Sequence, residues 1–278
     1  DITNVTAHLP MPQDFIAPLV RVTVDGETYY LNDTDQYARL GSTAYDDMLA
    51  MNLATQTFET VKAAKDCANK TDTFYSLTLG DDGKARVGIR RQYFGPAYNA
   101  KNRFFSELPP EEKNRYFQEI VSDVAQGARP VGGLTTKFDT YPGVEEFTVE
   151  IDHYCVVDGK NFYFDLPFTP ALFAAGADQR ALPLFLPGLS DNTVRADIHL
   201  PSAFPQLVIA PAAENLNLPD GAGGVQVTRT TTPGHYTIAY QLETAPAIIS
   251  ADDYPSVLKL ESTLGKKSAR VFLLEKGE

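Results

Sequence analysis

P-L-V-R-V-T-V-D-G-E-T-Y-Y-L-N-D-T-D, residues 18–35, is the stretch from which the rest of the chain is read. Two β-rich runs, Leu19 to Val24 and Glu27 to Leu31, flank Asp25-Gly26. Asp-Gly between such runs predicts a hairpin, because a type I′ turn needs positive φ at both central residues. The second strand empties into Asn32-Asp33-Thr34-Asp35, short polar side chains that end pairing and can cap a turn. Several hydrolase folds present an orienting side chain at such a mouth, so the pair reads as a catalytic hairpin or as the shell of one.

Upstream, Met11 to Asp14 reads as a loop. Downstream, residues 33–45 are polar and turn-rich, Tyr45 to Leu53 can form a short helix, and Thr57 to Lys65 can extend as a strand. A boundary is expected near Asp66 to Thr71. From Thr73 the pattern becomes repeatedly β. Thr73 to Leu79 and Lys84 to Phe94 form a long hairpin across Gly80-Asp81-Asp82-Gly83, with Val87 and Ile89 on one face and Arg86, Arg90 and Gln92 on the other. Pro109-Pro110 opens a helix, Glu111 and Glu112 suit its positive end, and Tyr116, Phe117, Ile120, Val121 and Val124 form one stripe that Gly127 stops. Strands are expected at Gly132 to Tyr141, Glu146 to Val157, Asn161 to Leu166, Thr193 to Leu200, Gln206 to Ala210, Gly224 to Thr231 and His235 to Glu243. Pro167 to Gln179 reads as a crossing loop. A last helix begins near Asp252 or Asp253, turns Val257, Leu260 and Leu264 inward and ends at Gly265, before a strand from Arg270 to Leu274. The expected fold is mainly β with a few helices (α+β), an antiparallel sandwich preceded by a hairpin.

The hairpin resembles the last two core strands of the transglutaminase-like (papain-like) superfamily, in large bacterial proteins that set this core between β-rich regions. There the first strand opens Phe-Asn-His and the second ends Leu-Asp-x-Thr, often with another Asp and a later Gly. Here the matching residues are Phe15-Ile16-Ala17, then Leu31-Asn32-Asp33-Thr34-Asp35 and Gly41. Ala17 therefore stands at the family histidine and Asn32 at the family aspartate. Asn32 can still orient an imidazole, but Ala17 removes the base that a cysteine nucleophile needs. The family's cysteine precedes this hairpin at a helix start, and residues 1–14 contain none. The C-terminal region is similar too, through Asp82-Gly83, Gly95 to Arg103, Lys113 to Ala125, Arg180 to Leu184 and Asp253-Tyr254 to Leu274. The resemblance implies a remnant over 1–65, a β-rich region over 66–278 with a further division allowed near 190, and a periplasmic, secreted or cell-surface location.

Composition narrows the partners. The hydrophobic content of 43% and charged content of 22% are those of an ordinary globular chain of 278 residues. A net charge of −12 argues against nucleic acid and anionic membranes, which need clustered Lys and Arg. No apolar run approaches the roughly 20 residues that span a bilayer. The opening D-I-T-N-V-T-A-H-L-P lacks a basic start and an apolar centre, so no signal peptide is expected, and a chain opening on Asp reads as a processed or engineered piece.

Candidate chemistry is sparse. His153 and Cys155 fall on one face of a predicted strand with Phe147, Val149, Ile151 and Val157, where a buried structural thiol is the expectation. Same-face neighbours in a strand also stand about 7 Å apart, too far for ready proton transfer. Cys67 and Cys155 make no C-x-x-C, and His8, His153, His199 and His235 no H-x-x-x-H, so no metal site is expected. Asn32 to Asp35 with Asp46-Asp47 lacks the order of a calcium loop. Gly221 to Gly224 opens no helix and reads as a flexible turn rather than a phosphate cradle. Arg86, Arg90 and Arg91 form a small basic island. No cofactor is expected, and a protein or peptide, or else a carbohydrate, is the expected partner. The reading is a non-catalytic accessory, binding or scaffolding region. The alternative is part of a cysteine-dependent hydrolase or acyltransferase whose nucleophile lies outside the chain or has migrated to Cys155.

Overall fold

The structure is a computed structural model, and it describes residues 15, 17–32, 35–172, 179–186 and 188–277. The expected hairpin forms: β1 (Val20–Val24) pairs antiparallel with β2 (Glu27–Leu31). Asp25 and Gly26 both have positive φ, 51° and 85°, as the turn demands. Tyr45 to Leu53 is not a helix. Its second half is β3 (Leu49–Asn52), paired with β4 (Thr57–Thr60). Asn52 decides this, because its side-chain oxygen accepts from the backbone N–H of Ala54 and Thr55 at 3.0 and 3.3 Å and closes a turn.

A 3-10 turn at Lys65–Cys67 leads into β5 (Lys70–Leu79) and β6 (Ala85–Phe94), then α1 (Gly95–Glu107) and α2 (Pro110–Val124). The remaining elements are β7 (Arg129–Pro130), β8 (Thr135–Lys137), β9 (Gly143–Ile151), β10 (Val156–Asp158), β11 (Asn161–Asp165), β12 (Leu184–Leu186), β13 (Ser190–His199), β14 (Gln206–Ile209), β15 (Glu214–Asn217), β16 (Gly223–Thr232), β17 (His235–Thr244), β18 (Ala247–Ile249), α3 (Tyr254–Gly265) and β19 (Val271–Glu275). A nine-stranded sheet runs β15-β16-β17-β13-β5-β6-β9-β7, with β8 also on β9. The expected antiparallel pairing holds for all its pairs except β5 with β13, which run parallel at the centre of the sheet. A parallel pair needs a long crossover, which the helices and intervening strands supply. Strands from either side of residue 190 share this sheet.

One face of the sheet is buried. Leu77, Val87, Ile89, Val149, Ile198 and Ile238 point into it and are at most 1% exposed. A second, four-stranded sheet, β10-β11-β19-β14, packs there, with Phe272 meeting Tyr236 edge-on at 5.1 Å. α2 adds Ile120 and Val121, and α3 adds Tyr254, Val257, Leu260 and Leu264. The fold is therefore mainly β with three α-helices among the described residues. The opposite face alternates polar side chains, among them Ser76, Thr78, Arg86, Arg90, Glu146 and Glu150, all exposed.

Candidate functional site

At the hairpin mouth Ala17 is half-buried and carries no polar group. Asn32 is turned onto its own hairpin, its Nδ2 donating to the Pro18 carbonyl at 3.5 Å. Ile16, Asp33, Thr34, His8 and the Met11 to Asp14 loop lie outside the described residues.

The cysteines are structural in their surroundings. His153 and Cys155 do not lie on a strand, since β9 ends at Ile151 and residues 152–155 form a turn. His153 is exposed while Cys155 is buried, so the turn sends the two side chains apart. The Cys155 backbone N–H donates to Gly83, and burial pushes its thiol up to about 12. A thiol so raised is poorly ionised and a poor nucleophile. Cys67 is buried under the N-terminal segment, its Sγ donating to the Leu40 carbonyl at 3.7 Å. Gly41 lets this segment come close: at φ +94° a side chain there would meet Ala64 at 2.8 Å. Among the described residues neither cysteine is hydrogen-bonded to a histidine.

The other sequence candidates resolve one by one. Asp35 accepts from the Tyr37 N–H, Asp46 from the Ala63 N–H, and Asp47 pairs with Lys62, so the acidic residues serve turns and ion pairs. Gly223 and Gly224 begin β16 against the Leu216 and Glu243 carbonyls, where side chains would come within 2.3 Å; they are strand glycines, not a flexible turn. The arginine island is divided. Arg86 pairs with Glu150 at 2.9 Å on the open face, whereas Arg91 points to the covered face and contacts Glu145 at 3.3 Å. His199 and His235 are brought side by side, which no local spacing foretold.

The structure adds a cleft of about 510 Å³ where the N-terminal segment meets the sheet, lined by Arg39, Lys65, Asp66, Lys70, Phe94 and Tyr141. Its lining holds three basic residues and one acidic residue, in a chain of net charge −12. Two of them are seated against aromatic rings: the Arg39 guanidinium sits 4.0 Å above the Tyr141 ring, and the Lys70 ammonium 5.5 Å from Phe94. Lys70 is also paired with Asp72 at 3.2 Å. Tyr141 is fixed by donating to the Asp66 carbonyl and accepting from the Gly95 N–H at 3.0 Å. Asn99 on α1 accepts from the Arg39 backbone N–H at 3.0 Å and donates to Ser42 at 2.7 Å. The helix that sequence patterning missed therefore positions one wall of the cleft.

Beneath α1 and α2 lies Glu145, fully buried on β9. It accepts from Tyr93 at 2.6 Å, Tyr116 at 2.8 Å and Arg91 at 3.3 Å. Burial first, and then the Glu145 charge, hold both phenols well above their usual range, so they remain protonated donors. Lys101 stands 5.3 to 5.8 Å from the ring centres of Tyr93, Phe104, Phe105 and Tyr116, and burial lowers its pKa. This cluster pins both helices to the sheet.

No known family profile matches the chain, and no curated protein matches it. Among solved structures it is similar to a crystal structure of a "putative protease" from Parabacteroides distasonis, at 13% sequence identity and a TM-score of 0.40. That likeness covers 92% of this chain and 35% of the other, so the chain spans about a third of that protein's length.

Proposed function

We propose that this chain is a non-catalytic, β-rich accessory region that binds a partner, attached to a degenerate transglutaminase-like hairpin. The observation that carries the reading is Ala17 at the position where the hairpin resemblance calls for an imidazole. Asn32, spent on the Pro18 carbonyl, and the raised, buried Cys155 thiol support it. The basic cleft is where such a region would engage its partner, and its cations favour acidic groups on a protein or peptide surface. The resemblance would place it in the periplasm or at the cell surface.

Two measurements test this. A nitrile-bearing thiol probe offered to the native chain is expected to label neither cysteine faster than it labels free cysteine. Selective labelling of Cys155, abolished by acid, would restore the hydrolase reading. For the cleft, an oligoglutamate peptide is expected to shift the amide resonances of residues 65–70, with the shifts lost in a K65E/R39E double variant. Unaltered shifts in that variant would move the contact elsewhere.

A further inference from the structure

His199 ends β13, His235 begins β17, and the two are register partners. Their rings stand 4.9 Å apart, centre to centre, with planes inclined by 56°. Opposed residues of an antiparallel pair have Cβ atoms about 5 Å apart on one face. Two imidazoles so placed need only side-chain rotation to bring one nitrogen each onto an ion about 2.0–2.1 Å away. His199 is exposed and His235 half-buried, so solvent reaches the pair. In register beyond them lie Thr78 on β5 and Thr232 on β16, short side chains that add no competing cation.

The neighbouring carboxylate is already engaged. Asp197 lies two residues before His199, hence on the same face. One of its oxygens accepts from Arg195 at 3.0 Å and from Thr237 at 2.8 Å. That oxygen is ion-paired with Arg195 and bonded to Thr237, so it is not offered to an ion, and the two imidazoles carry the site.

We propose that His199 and His235 form a two-imidazole site for a divalent transition metal of the nickel, copper or zinc class. Imidazole nitrogen selects these ions over magnesium and calcium, which prefer oxygen. With two protein ligands the remaining positions face solvent, so the site takes up an accessible ion that can exchange.

Nickel chloride titrated calorimetrically into the tag-free chain tests this. The expected result is one ion per chain, with affinity at least 10-fold weaker in H199Q and equally in H235Q, and unchanged in H8Q and H153Q. Copper bound at one equivalent is expected to show a two-nitrogen pattern by electron paramagnetic resonance. Circular dichroism that matches the parent shows that the substitutions leave the fold intact. No binding by the parent, parental affinity in either sheet variant, or loss of affinity in H8Q or H153Q would overturn the site.

Discussion

Glu145 shows what a single inward-facing carboxylate demands. With no exposure at all, it accepts from two phenols and from a guanidinium that is itself only 25% exposed. Removing one member of such a pair leaves the other charge buried without compensation. Glu145→Leu is therefore expected to lower unfolding stability by about 3 kcal/mol, the low end for a buried pair because Arg91 keeps some solvent; urea denaturation measures it, and a loss below about 1 kcal/mol would show that the cluster is solvated. Cys155 makes a pH prediction. Its folded thiol is raised by burial to about 12, so the folded state holds a proton that the unfolded chain releases from about pH 8.5 upward. That contribution is complete below the unfolded value and is lost as pH rises through the folded one. The urea midpoint is expected to fall from pH 9 to 12, less steeply in Cys155→Ala, and Ellman's reagent at pH 8 is expected to react with Cys155 only after unfolding.

The elements that patterning found are those whose signals are local. α2 starts on prolines and carries one apolar stripe, α3 turns Val257, Leu260 and Leu264 inward, and the long strands alternate cleanly. α1 escaped because Gly95-Pro96 reads as a break and its inner face carries Asn99 and Lys101, so no apolar stripe appears. Its glycine start is a packing requirement. Gly95 has φ +49°, and a Cβ there would lie 2.3 Å from the Cys67 carbonyl. Gly95→Ala is expected to cost about 1–3 kcal/mol for the backbone alone, whereas Gly265→Ala, in open space at the end of α3, is expected to be neutral or to stabilise by up to about 1 kcal/mol. Chemical denaturation of both variants checks the contrast. The Glu145 cluster did leave a trace: Gly143, Glu145, Phe147, Val149 and Ile151 share one phase of β9, and a glutamate in an otherwise inward set marks a paired buried charge.

At the scale of the whole molecule, what the sequence could not reveal is the union of distant strands. The β5–β13 register and the His199–His235 contact both depend on which strands become neighbours, and no local pattern encodes that. The same topology sets a hierarchy of stability. The two-stranded β1–β2 and β3–β4 pairs lack the support of a larger sheet, while β5, β13 and β17 are central in one of nine strands. Amide hydrogen exchange is expected to be fastest in residues 20–31 and 49–60 and slowest in β5, β13 and β17. Equal protection across all of them would show that the N-terminal segment is welded to the sheet.

The parallel pairing also has a consequence during synthesis. The Thr71 N–H finds its partner in the Asn192 side chain, 121 residues later. A nascent chain leaving the ribosome can zip β5 to β6 at once, yet the other edge of β5 stays bare until β13 has been translated. For that interval the half-made sheet offers an adhesive margin to any neighbouring polypeptide.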